Sequence, residues 1–120
     1  MENTTPAPRR SPGGLRRFSR PLAAGVTLDD LVLPRAVTQS MPFTLNTATV
    51  VVGAELPLHS HSQHEIWVIT AGSGRLDRGT ETFDIGEGDV ILFESQTQHH
   101  LTNTGQVDLQ LVSVYWDPAR

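Results

Sequence analysis

Residues 59–65, His-Ser-His-Ser-Gln-His-Glu, hold three of the five histidines of this 120-residue chain, together with a glutamate. His99 and His100 are the other two, so every histidine falls in one of two short segments. Imidazole and carboxylate are the side chains that ligate metals and move protons near neutral pH. The first segment separates the apolar run ATVVVGAELPL from the apolar run IWVIT. If the approach to it is extended, His59 and His61 share a face with Cα atoms roughly 6.6 Å apart. A turn over Ser62–His64 would bring Glu65 back toward the same point from a neighbouring strand. His99 opens a distant strand, and closure into a barrel is what would carry it near. Three neutral imidazoles and a carboxylate form a borderline-hard ligand set suited to Fe(II), Mn, Co, Ni or Zn, and the lack of a thiolate disfavours Cu(I).

The elements that must position these residues read as strands. TLNTATVVV alternates threonine with apolar residues, IWVIT and DVILF are apolar, and VDLQLVSVYW alternates again. Gly72-Ser73-Gly74, Asp77-Arg78-Gly79, Gly86-Glu87-Gly88 and Asn103-Thr104-Gly105 punctuate them at roughly 8–12-residue spacing, the mark of an all-β sandwich or barrel. The predicted fold is a small jelly-roll barrel, in which double-sheet packing protects exposed strand edges. An immunoglobulin-type sandwich fits less well, since its Cys–Trp–Cys core is absent. No window carries a helical period. Thr27–Leu33 allows one capped turn, which Pro34 would end.

Composition excludes several chemistries. The chain has no cysteine and no lysine, which rules out thiolate metal sites, disulfides, thiol nucleophiles and Schiff-base catalysis. Residues 29–120 carry four arginines against twelve acids, so nucleic acid is not expected as the ligand of the folded body. Residues 1–28 instead hold five arginines against one acid. The Pro-, Gly- and Arg-rich opening reads as a flexible tail over residues 1–25, with one β-barrel domain over 26–120. The stretch RRFSR is similar to a twin-arginine export signal. Pro21 and the Asp29-Asp30 pair leave too short an apolar run behind it, so the expected location is cytoplasmic, without membrane contact.

Two motifs carry a family resemblance. Gly53-x5-His59-x-His61-x3-Glu65-x6-Gly72 resembles the first motif of the cupin superfamily at every spacing. Gly88, His99 and Asn103 fall on the marks of the second motif, whereas Glu94 stands at its proline position and Gln96 at its glycine position. The resemblance covers roughly residues 43–116. It implies a jelly-roll barrel with one divalent transition metal, Fe(II) favoured over Mn, Ni, Co or Zn, held by His59, His61, Glu65 and His99. It also implies a small-molecule substrate and a homodimer, for which residues 18–40 are the expected contact.

His64 and His100 have the opposite strand parity to their ligand neighbours, which suggests supporting or surface roles. They and Glu94 are nevertheless the residues available for proton transfer, and Glu94 stands at the expected rim as a general base or a solvated turn residue. Gln63, Gln96 and Gln98 could orient substrate, Trp67 and Ile69 should line the barrel beside Glu65, and Asn103 should hold a strand end. The expected function is a metal-dependent enzyme for a small oxygen-rich metabolite, an oxygenase ahead of a non-redox lyase, isomerase or cyclase. A non-catalytic effector sensor is the alternative of another class.

Overall fold

A computed structural model of the chain describes residues 15–119. Ten strands form two antiparallel sheets: β1 (Arg16–Ala23), β2 (Val26–Val32), β3 (Thr44–Val50), β4 (Glu55–His59), β5 (His64–Ala71), β6 (Ser73–Arg78), β7 (Glu81–Gly86), β8 (Val90–Phe93), β9 (His99–Thr102) and β10 (Leu109–Trp116). One sheet runs β1-β2-β3-β10-β5-β8 and the other β4-β9-β6-β7. This is the all-β jelly roll the turn spacing predicts.

Alternation decides what each strand buries. Across the larger sheet, cross-strand register aligns Leu28, Ala48, Leu111 and Ile69 in one row of the inner face. The next row runs Asp30, Asn46, Ser113, Trp67 and Ile91, and the third sets Tyr115 beside Glu65 and Phe93. Leu56, Leu76, Ile85 and Leu101 come from the smaller sheet to meet them, and together the two faces make the core. Apolar area taken from water in such a core stabilises by about 25 cal/mol per Å².

Asn103, expected to hold a strand end, ties several turns together. Its buried amide donates to the carbonyls of Val50 and Val107, and its Oδ1 accepts from the Gly105 N–H. Buried carbonyls in irregular loops need such partners, because an unpaired one costs roughly 1–3 kcal/mol.

Three expectations need correction. Residues 16–23, assigned to a flexible tail, form β1, which pairs with β2 over its whole length. Two of the arginines that suggested a tail form ion pairs across the hairpin with the acids that follow: Arg20 Nε donates to Asp30 Oδ2 at 2.8 Å and Arg17 lies 3.5 Å from Asp29. The rest of the tail expectation, residues 1–14, lies outside the described residues. Thr27–Leu33 is not a helical turn: Thr27 to Val32 belong to β2. A short helix, α1 (Arg35–Ser40), instead follows Pro34, and it buries no residue, so it leaves no apolar period in the sequence.

Candidate metal centre

The smaller sheet supplies two of the predicted ligands and the larger sheet a third. His59 ends β4 and is the cross-strand partner of His99 at the start of β9, and their ring centroids are 4.2 Å apart. His61 lies beyond the end of β4, in the turn and not on the strand as the alternation argument assumed. Its ring is nonetheless 5.6 Å from that of His59 and 5.7 Å from that of His99. One nitrogen from each of these three imidazoles lies within 4.8 Å of the other two. Glu65, buried on β5 of the facing sheet, turns Oε1 toward them, 3.0 Å from His61 Nε2 and 3.5 Å from His99 Nε2.

The surrounding bonds orient these groups. His59 Nδ1 pairs with the Pro57 carbonyl and His99 Nδ1 with the Thr97 carbonyl, both at 3.0 Å. A carbonyl can only accept, so each ring carries its proton on Nδ1 and presents a lone pair at Nε2. Burial, the largest influence, pushes the His99 imidazole below the usual histidine range and favours that neutral form. Glu65 Oε2 accepts from Trp67 Nε1 at 2.9 Å and from Ser113 Oγ at 2.5 Å, which leaves Oε1 to the histidines. His99 Nε2 is buried without any hydrogen bond. An aligned, unpaired lone pair costs stability in the protein alone and is what a metal would satisfy. The donor set therefore fits a divalent transition metal.

His59, His61 and Glu65 edge a cavity of about 320 Å³. Leu22, Leu28, Ala48, Leu56, Trp67 and Leu111 give it apolar walls, and its polar lining comes from His59, His61, Glu65, Asn46, Gln63, Ser113 and Tyr115. Sequence reasoning missed Asn46 and Ser113. The inward parity of TLNTATV and LQLVSV would have marked both as polar residues on a core-facing side. Tyr115 lies 6.0 Å from His61 between ring centroids. An adjoining pocket of about 180 Å³ shares Gln63 and Tyr115 with the cavity.

The three residues put forward for proton transfer do not line the cavity. Glu94 is exposed in the turn after β8, where its carbonyl accepts the Thr97 N–H. His64 faces the other way and accepts the Ser95 N–H at Nδ1. His100 sits between Asp77 and Glu55, 3.2 Å and 2.5 Å away, opposite in parity to His99. Gln98 is exposed, and only Gln63 of the three glutamines reaches the cavity.

Gln96 has another part to play. It is the one non-glycine residue with positive φ among the described residues, at 67°, and it occupies the position where the motif has glycine. Its N–H donates to the His61 carbonyl at 2.7 Å, so the turn before His99 also holds the loop that carries His61. Left-handed backbone costs a non-glycine residue roughly 1–2 kcal/mol, partly offset by the greater unfolded-state entropy of glycine. Gln96→Gly is therefore expected to raise the urea midpoint, by about 0.5–1 kcal/mol in stability.

His100 allows a pH test away from the cavity. The hydrogen bond to Asp77, then that to Glu55, raises its pKa above 6.5, and the same bond to His100 is the main cause that lowers Asp77 below 3.8. A raised histidine stabilises fully below 6.5 and loses its contribution as pH climbs through the raised value; a lowered aspartate stabilises above 3.8 and loses its contribution as pH falls. The cluster thus contributes most between those limits. In chelator, the melting-temperature gap between wild type and His100→Gln is expected to be widest there and to narrow on either side. A gap independent of pH would remove the charged cluster from the account.

The cupin domain family model matches residues 46–115, and the chain belongs to that family. An uncharacterized protein of Methanocaldococcus jannaschii is 30% identical over 95 residues, 78% of this chain and 75% of the relative. An oxalate-binding protein of Thermotoga maritima is 33% identical over 63 residues, which span about half of each chain (52% and 52%). Among solved structures, a predicted oxalate decarboxylase of Thermotoga maritima superimposes with a TM-score of 0.71 at 22% identity, covering 93% of this chain and 99% of the other. Among the described residues, no helix is long and apolar enough to cross a membrane.

Proposed function

We propose that the chain is a metal-dependent enzyme in which His59, His61, Glu65 and His99 hold one divalent transition metal, Fe(II) foremost, and that it oxygenates a small substrate chelating that metal through oxygen. The observation that carries this reading is the convergence of three imidazoles, with the buried Nε2 of His99 unpaired, at the edge of an apolar cavity. When bound, the metal would supply Lewis acidity and, as iron, a redox couple for dioxygen. Trp67 and Ser113 fix Glu65, the Pro57 and Thr97 carbonyls fix two imidazoles, and the leucines exclude water. With Glu94, His64 and His100 outside the cavity, little besides Tyr115 and the ligands themselves is placed to move a proton. That favours activation by the metal over general acid–base chemistry.

The likeness to an oxalate-binding protein supports a second reading, non-redox chemistry on a small carboxylate. Against it, among the described residues no arginine lines the cavity to pair with a second carboxylate. The homodimer remains part of the proposal, with exposed Phe18 on the edge strand β1 as its contact.

Two measurements test the proposal. Metal analysis after purification without added metal should find about one ion per chain, the single-centre stoichiometry expected of such a donor set; a value near zero refutes the four-ligand site. Oxygen uptake with diketone or catecholic substrates should follow iron content. Full turnover with zinc, or without oxygen, would exclude the oxygenase in favour of the non-redox reading.

A further inference from the structure

Resting on the metal-centred reading, we infer that Asn46 selects the substrate, and that the substrate class is a metal-chelating oxo acid or diketone bearing one further hydroxyl or carbonyl on a hydrocarbon body. Asn46 lines the cavity and is only 3% exposed. Its side-chain amide enters none of the hydrogen bonds among the described residues, whereas Ser113, the other buried neutral side chain of that wall, is committed to Glu65. Lining the cavity, that amide has two donors and an acceptor to offer a molecule bound there.

Register locates it relative to the metal ligands. Asn46 on β3 is the cross-strand partner of Ser113 on β10, and Ser113 bonds Glu65 Oε2. Directly opposed side chains stand roughly 4.5–5.5 Å apart, so the amide lies about one strand beyond the ligand carboxylate. Leu28, Ala48 and Leu111 flank it as an aliphatic row. On the far side Asp30, partner of Asn46 on β2, is already paired with Arg20. The row of Asn46 therefore offers a free hydrogen-bonding position between aliphatic surface and a neutralised ion pair, apart from Gln63 and Tyr115 elsewhere in the lining. A molecule as small as oxalate would fill the chelating end and leave that amide unpaired.

The test uses the full chain loaded with Co(II), whose visible spectrum reports chelation without turnover. The probes are 2-oxopentanoate and its 4-hydroxy and 5-hydroxy derivatives, which share one chelating head. Wild type is expected to bind at least one hydroxylated acid roughly tenfold more tightly than 2-oxopentanoate, since a site built for a hydroxyl penalises its absence. Asn46→Leu, and Asn46→Ala as the second variant should leucine disturb folding, are expected to erase that preference with cobalt stoichiometry unchanged. No preference in wild type, or the same preference in both variants, overturns the assignment while the spectral response still reports the chelate. If the protein holds cobalt and none of the acids perturbs its spectrum, the chelating-substrate reading itself fails.

Discussion

A His99→Phe chain is expected to keep its fold and lose its response to divalent metal. His99 is 1% exposed, with its ring centroid 4.3 Å from Phe93 and 5.3 Å from Trp67. Phenylalanine fills the same aromatic slot, so the transfer and packing contributions survive. The exchange forfeits the bond from Nδ1 to the Thr97 carbonyl, about 1 kcal/mol. It also removes the buried, unpaired Nε2, whose desolvation costs a similar amount. Metal-free stability should therefore stay within roughly 1 kcal/mol of wild type. Metal affinity should fall by more than about 100-fold, because loss of a supporting partner alone costs 10–100-fold. Thermal unfolding with and without Mn or Co reads both quantities. Wild type should gain about 2.7 kcal/mol at a metal concentration 100 times its Kd, and the variant should gain almost nothing. An undiminished shift in the variant would exclude His99 as a ligand.

The second large effect concerns Gly72, at the turn between β5 and β6. Gly53, Gly72 and Gly88 all adopt positive φ, at 82°, 80° and 91°. Their surroundings differ. A Cβ on Gly53 or Gly88 would meet nothing within 4 Å, whereas one on Gly72 would lie 2.6 Å from the Asp108 carbonyl oxygen and 2.8 Å from the Leu109 Cα. Those are backbone atoms at the start of β10, which cannot rotate aside. Gly53→Ala and Gly88→Ala should thus cost only the left-handed strain, about 1–2 kcal/mol. Gly72→Ala adds overpacking of about 1–3 kcal/mol and should lose about 3 kcal/mol or more in urea unfolding. Three equal losses would show that φ alone governs these positions.

The sequence made much of this site readable because three of the four proposed ligands are set by local spacing. His59, His61 and Glu65 are separated by a short turn, and strand parity already turned His64 and His100 away from them. Both of those expectations match the orientation of the side chains. The polar cavity wall was harder to read, because Asn46 and Ser113 matter only through the pairing of β3 with β10, partners far apart in the chain. β1 was misread for a related reason. Arg17 and Arg20 look like a solvated tail until the β1–β2 hairpin brings them within reach of Asp29 and Asp30, and nothing in a linear reading specifies that hairpin. Gln96 stands where the motif has glycine, in the turn before His99. The backbone there takes the left-handed form all the same, with a side chain that has to tolerate it.

The order of strands in the larger sheet also sets a gradient of protection against hydrogen exchange. β10 is bonded on both sides along its length, by β3 and by β5, and it carries Ser113 and Tyr115. Among the described residues β1 is bonded on one side only, yet β1 and β2 supply Leu22 and Leu28 to the same cavity. Amides of β10 should then exchange only through global unfolding, while those of β1 exchange through a cheaper local opening. Most of the cavity wall thus belongs to the more protected part of the protein, while Leu22 belongs to an element that can part from it alone.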